Sequence, residues 1–406
     1  MQIKSYNFLS KKLNLNKHKI GIIGLGYVGL PLVKKFLQSG CKKIFGVDSD
    51  KKKINLLQKG KSPIDSIKIK YFKKNKEKLS TDYLILQNVD IIIICLPTPL
   101  KSKNNPDLSY LNDCYKNLSK INIKNKIIIL ESTVYPGVTR KFADQITLTN
   151  KKLEIGKNTF FGYSPERENP GDKNFSYNKT PKVISGYTNS CLKLVNSVYQ
   201  NITKKTFACK TLEEAETSKL LENLYRSINI GLVNEMKIIC DKLNIDVHNV
   251  IESAATKNFG FQKFTPGPGL GGHCIPIDPY YLSWISKKKG YEPLILQSSA
   301  KINNSMPKII TNKILKFFNK KPKILIFGIS YKKNVDDDRE SPSFEFMKIF
   351  KKKKINFDVV DPFFKEIKLG RQIKFKKKLI KLTKKNARNY DCALIVTDHD
   401  KFDYKF

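Results

Sequence analysis

The chain has 406 residues, typical of two or three domains, and its 76 lysines and arginines against 36 acidic residues give a formal net charge of +40. The lysines are spread along the chain without a basic tail, a zinc-finger spacing or an aromatic–basic RNA motif, so the excess indicates compositional drift more than nucleic-acid binding. No apolar run approaches the roughly 18–20 residues of a membrane span, and the N-terminus lacks the apolar core of a signal peptide.

The first strong pattern predicts a dinucleotide-binding unit. A β-rich run at residues 20–23 meets a G-x-G-x-x-G motif and a helix, and a second strand at 44–47 ends at Asp48. The glycines of such a motif allow a tight turn, close approach of the pyrophosphate and close helix–strand packing. A carboxylate at Asp48 would accept hydrogen bonds from ribose hydroxyls and repel a 2′-phosphate, which favours NAD over NADP. The three glycines are Gly24, Gly26 and Gly29.

Polar residues follow the next two predicted strands. Residues 90–95 read as a buried strand that leads to Thr98, and residues 126–130 as another that leads to Thr133. The carboxyl ends of parallel strands are where ligands bind in doubly wound sheets. Capping of the following helices is an equally good interpretation of these two threonines from local pattern alone.

Residues 211–243 predict one long helix. This segment has no proline, a single glycine and apolar residues at helical spacing. At 1.5 Å per residue, a helix of roughly 30 residues is about 45 Å long, which is too long for a crossover between strands. We expect it to link two domains, and its apolar stripe could bury a dimer interface.

The strand–helix rhythm restarts near residue 323. Strands are predicted at 323–327, 357–360 and 392–396, with a helix at 343–350. The predicted fold class is therefore α/β, with two doubly wound Rossmann-like domains joined by a long central helix. The predicted boundaries are 1–208 for the NAD-binding domain, 209–305 for the central helix and catalytic-loop domain, and 306–406 for the second Rossmann-like domain.

A glycine-rich loop, PGPGLGGHCIPIDP at residues 266–279, is the strongest candidate for a reactive site. Its four glycines suit a loop whose backbone approaches a ligand, and it contains Cys274 with Asp278 four residues later. The eight cysteines form no C-x-x-C pair, so neither a zinc ribbon nor a dithiol centre is indicated, and a reducing cytoplasm is the simplest location. With four histidines and no H-x-H or H-x-x-x-H pair, no metal site is expected.

Together these motifs resemble the UDP-glucose/GDP-mannose dehydrogenase family. The resemblance runs in order from GLGYVGLP through LPTP, ESTVYPG, SPERENPGD, EAETSKLLENLYRSINIGLVNEM and PGPGLGGHCIPIDPYYL to YKKNVDDDRESPS. It covers about residues 19–403. It implies an N-terminal NAD domain, a dimer formed through the central helix and a C-terminal nucleotide-sugar domain. Cell-surface polysaccharide synthesis is the role it implies.

The family resemblance also implies a reaction and the residues that carry it. Family members oxidise a primary alcohol of a nucleotide sugar twice, through a cysteine thiohemiacetal and a thioester that water hydrolyses. Cys274 matches the nucleophile. Lys219 and Asn223 match the residues that stabilise negative charge on the reacting oxygen, although an exposed i,i+4 pair is the usual reading of a helical lysine. Asp278 matches a residue that assists proton transfer through water, and Glu166 an acid near the hydrolytic site.

The same resemblance implies binding residues for the cofactor and for the substrate. Lys332 and Arg339 match residues of the family's diphosphate-holding motif, although the three aspartates before Arg339 could use part of its charge. The full set of expected catalytic residues is Cys274, Lys219, Asn223, Asp278, Glu166 and Thr133. The expected NAD-binding residues are Gly24, Gly26, Tyr27, Val28, Gly29, Asp48, Lys53, Thr98, Thr133 and Arg339. The expected substrate-binding residues are Glu166, Arg167, Lys219, Asn223, Phe264, Gly267, Gly269, Gly271, Gly272 and Lys332.

The choice of sugar rests on Ile277, on His273 before the cysteine, and on the PGPGLGG and YKKNVDDDRESPS strings. Members that act on UDP-glucose usually carry a lysine where this chain has Ile277, so the loop resembles the N-acetylhexosamine branch of the family. UDP-N-acetylglucosamine is the expected substrate, with UDP-N-acetylmannosamine, UDP-N-acetylgalactosamine and UDP-glucose as alternatives. The sequence stops at Phe406, where relatives usually continue with a further strand, so we expect an exposed sheet edge and keep a non-catalytic nucleotide-sugar-binding protein as an alternative.

Overall fold

A computed structural model describes residues 17–64, 67–101, 104–167, 180–272, 275–367 and 375–404. The chain forms two compact units: unit 1 is Met1–Leu221 and unit 2 is Glu222–Phe406. In the described part of the chain, no helix combines the length and apolarity that a membrane crossing requires.

Unit 1 is built on an eight-stranded sheet in the order β3-β2-β1-β4-β5-β6-β7-β8. The pairing of β6 with β7 is antiparallel, and the other neighbouring strands are parallel. Its strands are β1 Ile20–Ile23, β2 Ile44–Val47, β3 Leu79–Ser80, β4 Ile91–Ile94, β5 Ile127–Leu130, β6 Phe160–Tyr163, β7 Lys182–Gly186 and β8 Thr206–Ala208. Its helices are α1 Gly29–Gln38, α2 Lys51–Gln58, α3 Ser109–Leu118, α4 Val138–Leu148 and α5 Asn189–Tyr199, with short 3₁₀ turns at Tyr71–Lys73, Lys76–Lys78 and Tyr83–Leu86.

The central strands of this sheet are apolar on both faces. In β4 every residue is isoleucine and every side chain is buried; Ile91 and Ile93 pack into one core cluster, whereas Ile92 and Ile94 pack into the other. This is the composition expected of parallel strands that are covered by helices on both sides. The two cores leave the loops at the carboxyl ends of the strands as the places where polar side chains collect.

The long helix α6 spans Leu212–Leu243, begins in unit 1 and continues in unit 2. Its 32 residues agree with the predicted helix over 211–243. Thr211 starts it, because its hydroxyl accepts from the backbone N–H of Glu214 at 3.1 Å while the Glu214 carboxylate accepts from the N–H of Thr211 at 3.4 Å. This reciprocal arrangement is a capping box.

Unit 2 contains the rest of α6 and a smaller parallel sheet in the order β10-β9-β13. A separate two-stranded antiparallel pair joins β11 to β12. The elements after α6 are α7 Val247–Ala255, α8 Asp278–Lys288, α9 Leu294–Leu315, β9 Ile324–Phe327, α10 Pro342–Lys352, β10 Phe357–Val360, β11 Glu366–Ile367, β12 Lys377–Lys378, α11 Lys384–Ala387 and β13 Cys392–Ile395. Helices α9 and α10 pack on each other.

The architecture confirms the predicted α/β class: along the chain, a mostly parallel sheet precedes the long helix and a second, parallel sheet follows it. Strands β1, β2 and β10 have the predicted bounds, because each is a short β-rich run that a glycine or an aspartate follows directly. The division into three domains at residues 208 and 305 stays a prediction. On the described sheet of unit 2, β13 is an edge strand and Ile395 is half exposed.

Candidate active site

The glycine turn after β1 has the geometry that the motif requires. Gly24 has φ +91°, and a Cβ on it would lie 2.5 Å from the carbonyl oxygen of Cys95. A Cβ on Gly29 would lie 2.0 Å from the carbonyl oxygen of Gly24, so only glycine lets α1 start this close to the turn. A Cβ on Gly26 would meet nothing within 4 Å. Gly26 therefore leaves open space in front of the turn, where a phosphate group can approach the backbone.

The start of helix α1 lies beside this turn and has no side-chain cap. Val28 stands at the N-cap and provides no side-chain cap, and both Tyr27 and Val28 are half-buried beside the turn. The first N–H groups of a helix have no intrahelical partner and favour an anion. The open glycine turn and the uncapped helix fit a dinucleotide pyrophosphate.

Asp48 lies at the end of β2 and is 7% exposed. Its Oδ2 accepts from the backbone N–H of Leu25 at 2.9 Å, and its Oδ1 accepts from the N–H of Asp50 at 2.9 Å. Lys53 Nζ lies 3.1 Å from Oδ2, so the two expected cofactor residues form an ion pair. The carboxylate is thus fixed beside the glycine turn, and a ribose hydroxyl would share it with Lys53.

Thr98 and Thr133 come together at the carboxyl ends of β4 and β5. The buried Thr98 hydroxyl donates to the carbonyl oxygen of Thr133 at 2.7 Å. Thr98 therefore holds the loop that carries Thr133. The neighbouring Ser132 Oγ is buried and has no hydrogen-bond partner among the residues that the structure describes. An unpaired buried hydroxyl at this edge of the sheet is consistent with a polar ligand there.

A buried ion pair, Glu131–Lys182, lies next to the start of this loop. Lys182 Nζ lies 3.0 Å from Glu131 Oε2 and donates to the carbonyl oxygen of Pro165 at 3.1 Å. The Tyr199 hydroxyl donates to Glu131 Oε1 at 2.5 Å. Burial raises the pKa of the Glu131 carboxyl, and the Lys182 ammonium and the Tyr199 hydroxyl oppose that rise.

This pair connects the segments that carry two expected catalytic residues. Glu131 is two residues before Thr133, and the Pro165 carbonyl that Lys182 holds is immediately before Glu166. Glu166 and Arg167 are half-buried, and Arg167 Nη1 donates to the carbonyl oxygen of Pro181 at 2.6 Å. Lys182 is not among the residues predicted from the sequence, where its signal is a lysine at the start of a buried strand.

Lys219 lies on α6 and is 9% exposed. The usual reading of a helical lysine, an exposed pair with a neighbouring glutamate, does not hold here, because Glu216 one turn earlier is fully buried as well. A buried lysine is unusual and normally has a charged or polar partner.

In unit 2, Asn223 and Asp278 are in direct contact. Asn223 Nδ2 donates to Asp278 Oδ2 at 2.5 Å, and both side chains are buried. Asp278 is the first residue of α8, with Pro279 beside it at the start of the helix. The amide and the carboxylate thus form one hydrogen-bonded pair at the end of the glycine loop.

The glycine loop is anchored at both ends of its described part. Gly267 N–H donates to Asn234 Oδ1 at 2.8 Å, and Gly272 N–H donates to the carbonyl oxygen of Arg339 at 3.0 Å. Gly272 has φ +89°, and a Cβ on it would lie 2.9 Å from the Tyr331 ring. Gly271 is similarly tight against Tyr331, and Gly269 has φ +127°. The loop therefore packs against the segment that carries Lys332 and Arg339, and glycine is structurally required at 269, 271 and 272.

His273 and Cys274, the expected nucleophile, lie outside the described residues. Of the other seven cysteines, six are buried and Cys392 is partly buried. Burial raises the pKa of the Cys95 thiol well above its ordinary value, which keeps that thiol protonated and unreactive. Phe264 lies before the loop and packs edge-on against Tyr225, with ring centroids 6.0 Å apart.

Arg339 forms an ion pair with a neighbouring aspartate. Its Nε donates to Asp337 Oδ1 at 2.9 Å and its Nη2 to Asp337 Oδ2 at 2.7 Å, a bidentate pair that confirms the expected use of Arg339 charge by the preceding aspartates. Lys332 is half-buried on the same segment.

A buried aspartate–histidine pair fixes the start of this segment. Asp361 Oδ2 lies 3.2 Å from His399 Nε2, and His399 Nδ1 accepts from the backbone N–H of Asn334 at 2.9 Å. Burial raises the pKa of the Asp361 carboxyl, but hydrogen bonds from His399 and from the N–H groups of Phe363 and Ile329 outweigh it and hold that pKa below its ordinary value. His399 was not singled out from the sequence, because its partner is distant along the chain.

Comparisons with known proteins give the same family along most of the chain. Models of the UDP-glucose/GDP-mannose dehydrogenase family match three consecutive parts of the chain, the NAD binding domain at residues 18–203, the central domain at 213–305 and the UDP binding domain at 325–406. A UDP-N-acetyl-D-glucosamine 6-dehydrogenase of Salmonella typhi is 32% identical over 96% of this chain and 91% of the relative.

Two further relatives carry a different substrate in their names. A UDP-N-acetyl-D-mannosamine dehydrogenase of Methanococcus vannielii is 31% identical over 95% of this chain and 87% of the relative. The solved structure of the UDP-N-acetyl-mannosamine dehydrogenase Cap5O from S. aureus is 30% identical, covers 95% of this chain and 90% of that chain, and superposes with a TM-score of 0.80.

The chain belongs to the UDP-glucose/GDP-mannose dehydrogenase family. Within that family it is an NAD-dependent UDP-sugar dehydrogenase, an oxidoreductase whose cofactor is NAD.

Proposed function

We propose that the protein oxidises C6 of a UDP-N-acetylhexosamine, with UDP-N-acetyl-D-glucosamine as the first choice, to the uronic acid. The contact that carries this proposal is the hydrogen bond of 2.5 Å between Asn223 and Asp278, which joins two expected catalytic residues at the end of the glycine loop. The N-acetylhexosamine substrates named for the relatives and the presence of Ile277 in place of a lysine support the choice of sugar.

In the proposed reaction the sugar alcohol loses two hydrides, and NAD supplies the acceptor for each of them. Lys219 and Asn223 stabilise negative charge on the reacting oxygen. After the first oxidation the Cys274 thiolate adds to the aldehyde carbon, and the resulting thiohemiacetal becomes a thioester at the second oxidation. Asp278 and Glu166 assist the water that hydrolyses the thioester. One alcohol, two NAD and one water thus give one carboxylate, two NADH and three protons.

UDP-N-acetylmannosamine is the second candidate substrate. The relatives that favour it are the dehydrogenases named for this sugar, including a Pyrococcus horikoshii structure with a TM-score of 0.83 at 28% identity. The two sugars differ only in the configuration at C2.

A substrate panel tests the proposed reaction. The purified protein is incubated with NAD and UDP-N-acetylglucosamine, UDP-N-acetylmannosamine, UDP-N-acetylgalactosamine or UDP-glucose, and NADH is followed by absorbance. We expect the highest kcat/KM with UDP-N-acetylglucosamine, and two NADH per sugar consumed.

The matched variants are Cys274→Ala and Cys392→Ala. We expect the first to form no uronic acid and the second, on the partly buried β13, to keep near wild-type turnover. Activity with none of the four sugars would refute the proposed substrate class, and a Cys274→Ala enzyme that still makes two NADH per sugar would refute the mechanism.

We also propose that the protein is a homodimer formed through helix α6. In unit 2, four large apolar residues on this helix recur at intervals of seven or four, and each is exposed in the single chain. Such a stripe is typical of a helix face that pairs with another copy. The residues are Tyr225, Leu232, Ile239 and Leu243, which are 49%, 55%, 44% and 61% exposed.

Sedimentation velocity tests the dimer. We expect wild type to sediment as a dimer, the Leu232→Glu/Leu243→Glu variant to sediment as a monomer, and the control Leu148→Glu to remain dimeric, since Leu148 is exposed at the end of α4 and lies outside the stripe. A wild-type monomer, or a double variant that remains dimeric, would contradict this interface.

A further inference from the structure

Glu216 makes an unusual contact within unit 1. It lies in the second turn of α6 and its side chain is fully buried. Its Oε2 accepts from the backbone N–H of Gly137 at 2.6 Å, and its Oε1 accepts from the N–H of Thr139 at 2.8 Å. Both donors belong to the beginning of helix α4, so the carboxylate caps a helix that is more than seventy residues away in sequence.

Helix α4 depends on this external cap. Its N-cap residue is Gly137, which has φ +95° and no side chain to accept a hydrogen bond. The first N–H groups of a helix need acceptors from outside the helix, and the positive end of the helix dipole favours a negative charge. Glu216 supplies both, and its bidentate contact orients α4 against the start of α6.

A second charged contact joins the same two helices. One turn earlier on α6, Glu213 forms a bidentate pair with Arg140 of α4, with distances of 2.6 Å and 3.0 Å, and this pair is partly exposed. Tyr135 faces Glu216 from the loop before α4. Burial raises the pKa of the Glu216 carboxyl to about 7, although the hydrogen bonds from Thr139 and Gly137 oppose the rise.

Two expected catalytic residues, Thr133 and Lys219, lie close in sequence to the two sides of the Glu216 contact. Gly137 closes the loop that begins at Thr133, and the Thr98 hydroxyl holds the other end of that loop through the Thr133 carbonyl. Lys219 is three residues after Glu216, on the next turn of α6 and also buried. A displacement at Glu216 would therefore move both the Thr133 loop and Lys219.

We propose that Glu216 is a positioning residue for the oxidation step: it holds Lys219 on α6 and the Thr133 loop before α4 in one fixed arrangement. The inference rests on the proposed function, because it requires Lys219 and Thr133 to act in the reaction. Glu216 itself does not touch the substrate in this scheme. Its effect belongs to the chemical step, since it holds the residues that surround the reacting atoms.

The test compares Glu216→Gln with Glu213→Gln. Gln at 216 keeps the shape and one acceptor but places an N–H₂ group against a backbone N–H, so one of the two contacts is lost. Glu213→Gln breaks the Arg140 pair on the same two helices, at a partly exposed position. We measure kcat, KM for the UDP-sugar, the Kd for NAD, the melting temperature and the isotope effect with substrate deuterated at C6.

For Glu216→Gln we expect kcat to fall by about 10- to 100-fold, the size of loss that small misplacements cause. KM and the Kd for NAD should change little, and the deuterium isotope effect on kcat should rise, because hydride transfer becomes slower relative to other steps. Glu213→Gln should keep kcat and the isotope effect of wild type. Should Glu216→Gln fold poorly, Glu216→Asp keeps the charge but is too short to reach both N–H groups, and it should show the same loss of kcat.

Equal kcat in wild type and Glu216→Gln, or equal losses in the 216 and 213 variants, would overturn the positioning role while leaving the proposed function intact. A wild-type protein that is inactive on the whole UDP-sugar panel would overturn the proposed function and this inference with it. A lowered melting temperature with an unchanged isotope effect would assign Glu216 a structural role alone.

Discussion

Two buried carboxylates of unit 1 have different polar partners. Glu131 faces the Lys182 ammonium and the Tyr199 hydroxyl, whereas Glu216 faces two backbone N–H groups. An ion pair removed from water is costly to form, and loss of one partner leaves an uncompensated charge. A carboxylate at a helix N-terminus is stabilised by backbone N–H groups, which side-chain substitutions leave in place. The two sites therefore differ in how they respond to substitution.

The Glu131–Lys182 pair gives a sharp prediction for stability. Glu131→Gln, or Lys182→Met, should lower the free energy of unfolding by about 3–5 kcal/mol, because each strands the other charge in the interior. The double variant Glu131→Gln/Lys182→Met should recover much of that loss. Urea unfolding followed by circular dichroism measures all three.

An exposed pair of the same unit serves as the control. Glu154 and Lys157 are each 55% exposed, and Glu154→Gln should cost less than about 1 kcal/mol. If the two single substitutions at 131 and 182 were additive in the double variant, the charges would not be coupled, and the pair would have to be treated as two independent side chains.

At the level of elements, α6 and α9 approach closely inside unit 2. A Cβ on Gly231 would lie 2.8 Å from Ser299 Oγ and 3.3 Å from Ser299 Cα, so glycine is needed for the contact. A buried amide relay crosses the same interface: Asn234 Nδ2 donates to Asn303 Oδ1 at 2.9 Å, and Asn303 Nδ2 donates to the Ser227 carbonyl at 3.0 Å. Because Asn234 also accepts from Gly267, this packing supports the glycine loop.

Gly231→Ala is predicted to destabilise the protein, against the ordinary preference of helices. Alanine normally stabilises a helix interior over glycine by about 1 kcal/mol, but overpacking a close interface costs about 1–3 kcal/mol. We expect a net loss of about 1 kcal/mol in urea unfolding. Ser299→Ala in the same chain should reduce that loss, since it removes the nearest atom, and Ser299→Ala alone provides the reference. A more stable Gly231→Ala protein would show that α9 yields easily here.

Local sequence predicts elements and turns of this fold better than it predicts their long-range partners. Strands β1 and β2 and the glycine turn between β1 and α1 are encoded within about thirty residues, so pattern and spacing define them. The partners of Glu131 and Glu216 lie 51 and 79 residues away at Lys182 and Gly137, and no local pattern pairs them. Short strands such as β3, with two residues, are also too brief to carry a periodic signal.

For the whole molecule, the net charge of +40 bears on how an anionic substrate arrives. A positive field raises the rate of encounter with a diphosphate, and salt screens it over about 10 Å at 0.1 M and about 3 Å at 1 M. The nucleic-acid alternative rests on the same charge, and the absence of nucleic-acid binding stays a prediction.

We therefore predict that kcat/KM for the UDP-sugar falls as KCl is raised, while kcat changes much less. Steady-state NADH formation over a KCl series measures both constants. A fluorescent DNA duplex titrated at the same salt concentrations provides the comparison, and it should show no binding near physiological salt. A kcat/KM that does not depend on salt would indicate that the excess charge has no part in substrate capture.

The helix that crosses the boundary between the two units has a consequence for how this chain can be cut or exchanged. The boundary at Leu221 falls inside α6, between the turn with Lys219 and the turn with Asn223. A genetic break there would strip backbone partners from both new helix ends and separate two expected catalytic residues. Swaps of modules between relatives should therefore succeed only with junctions outside Leu212–Leu243, so that this helix is inherited as one piece.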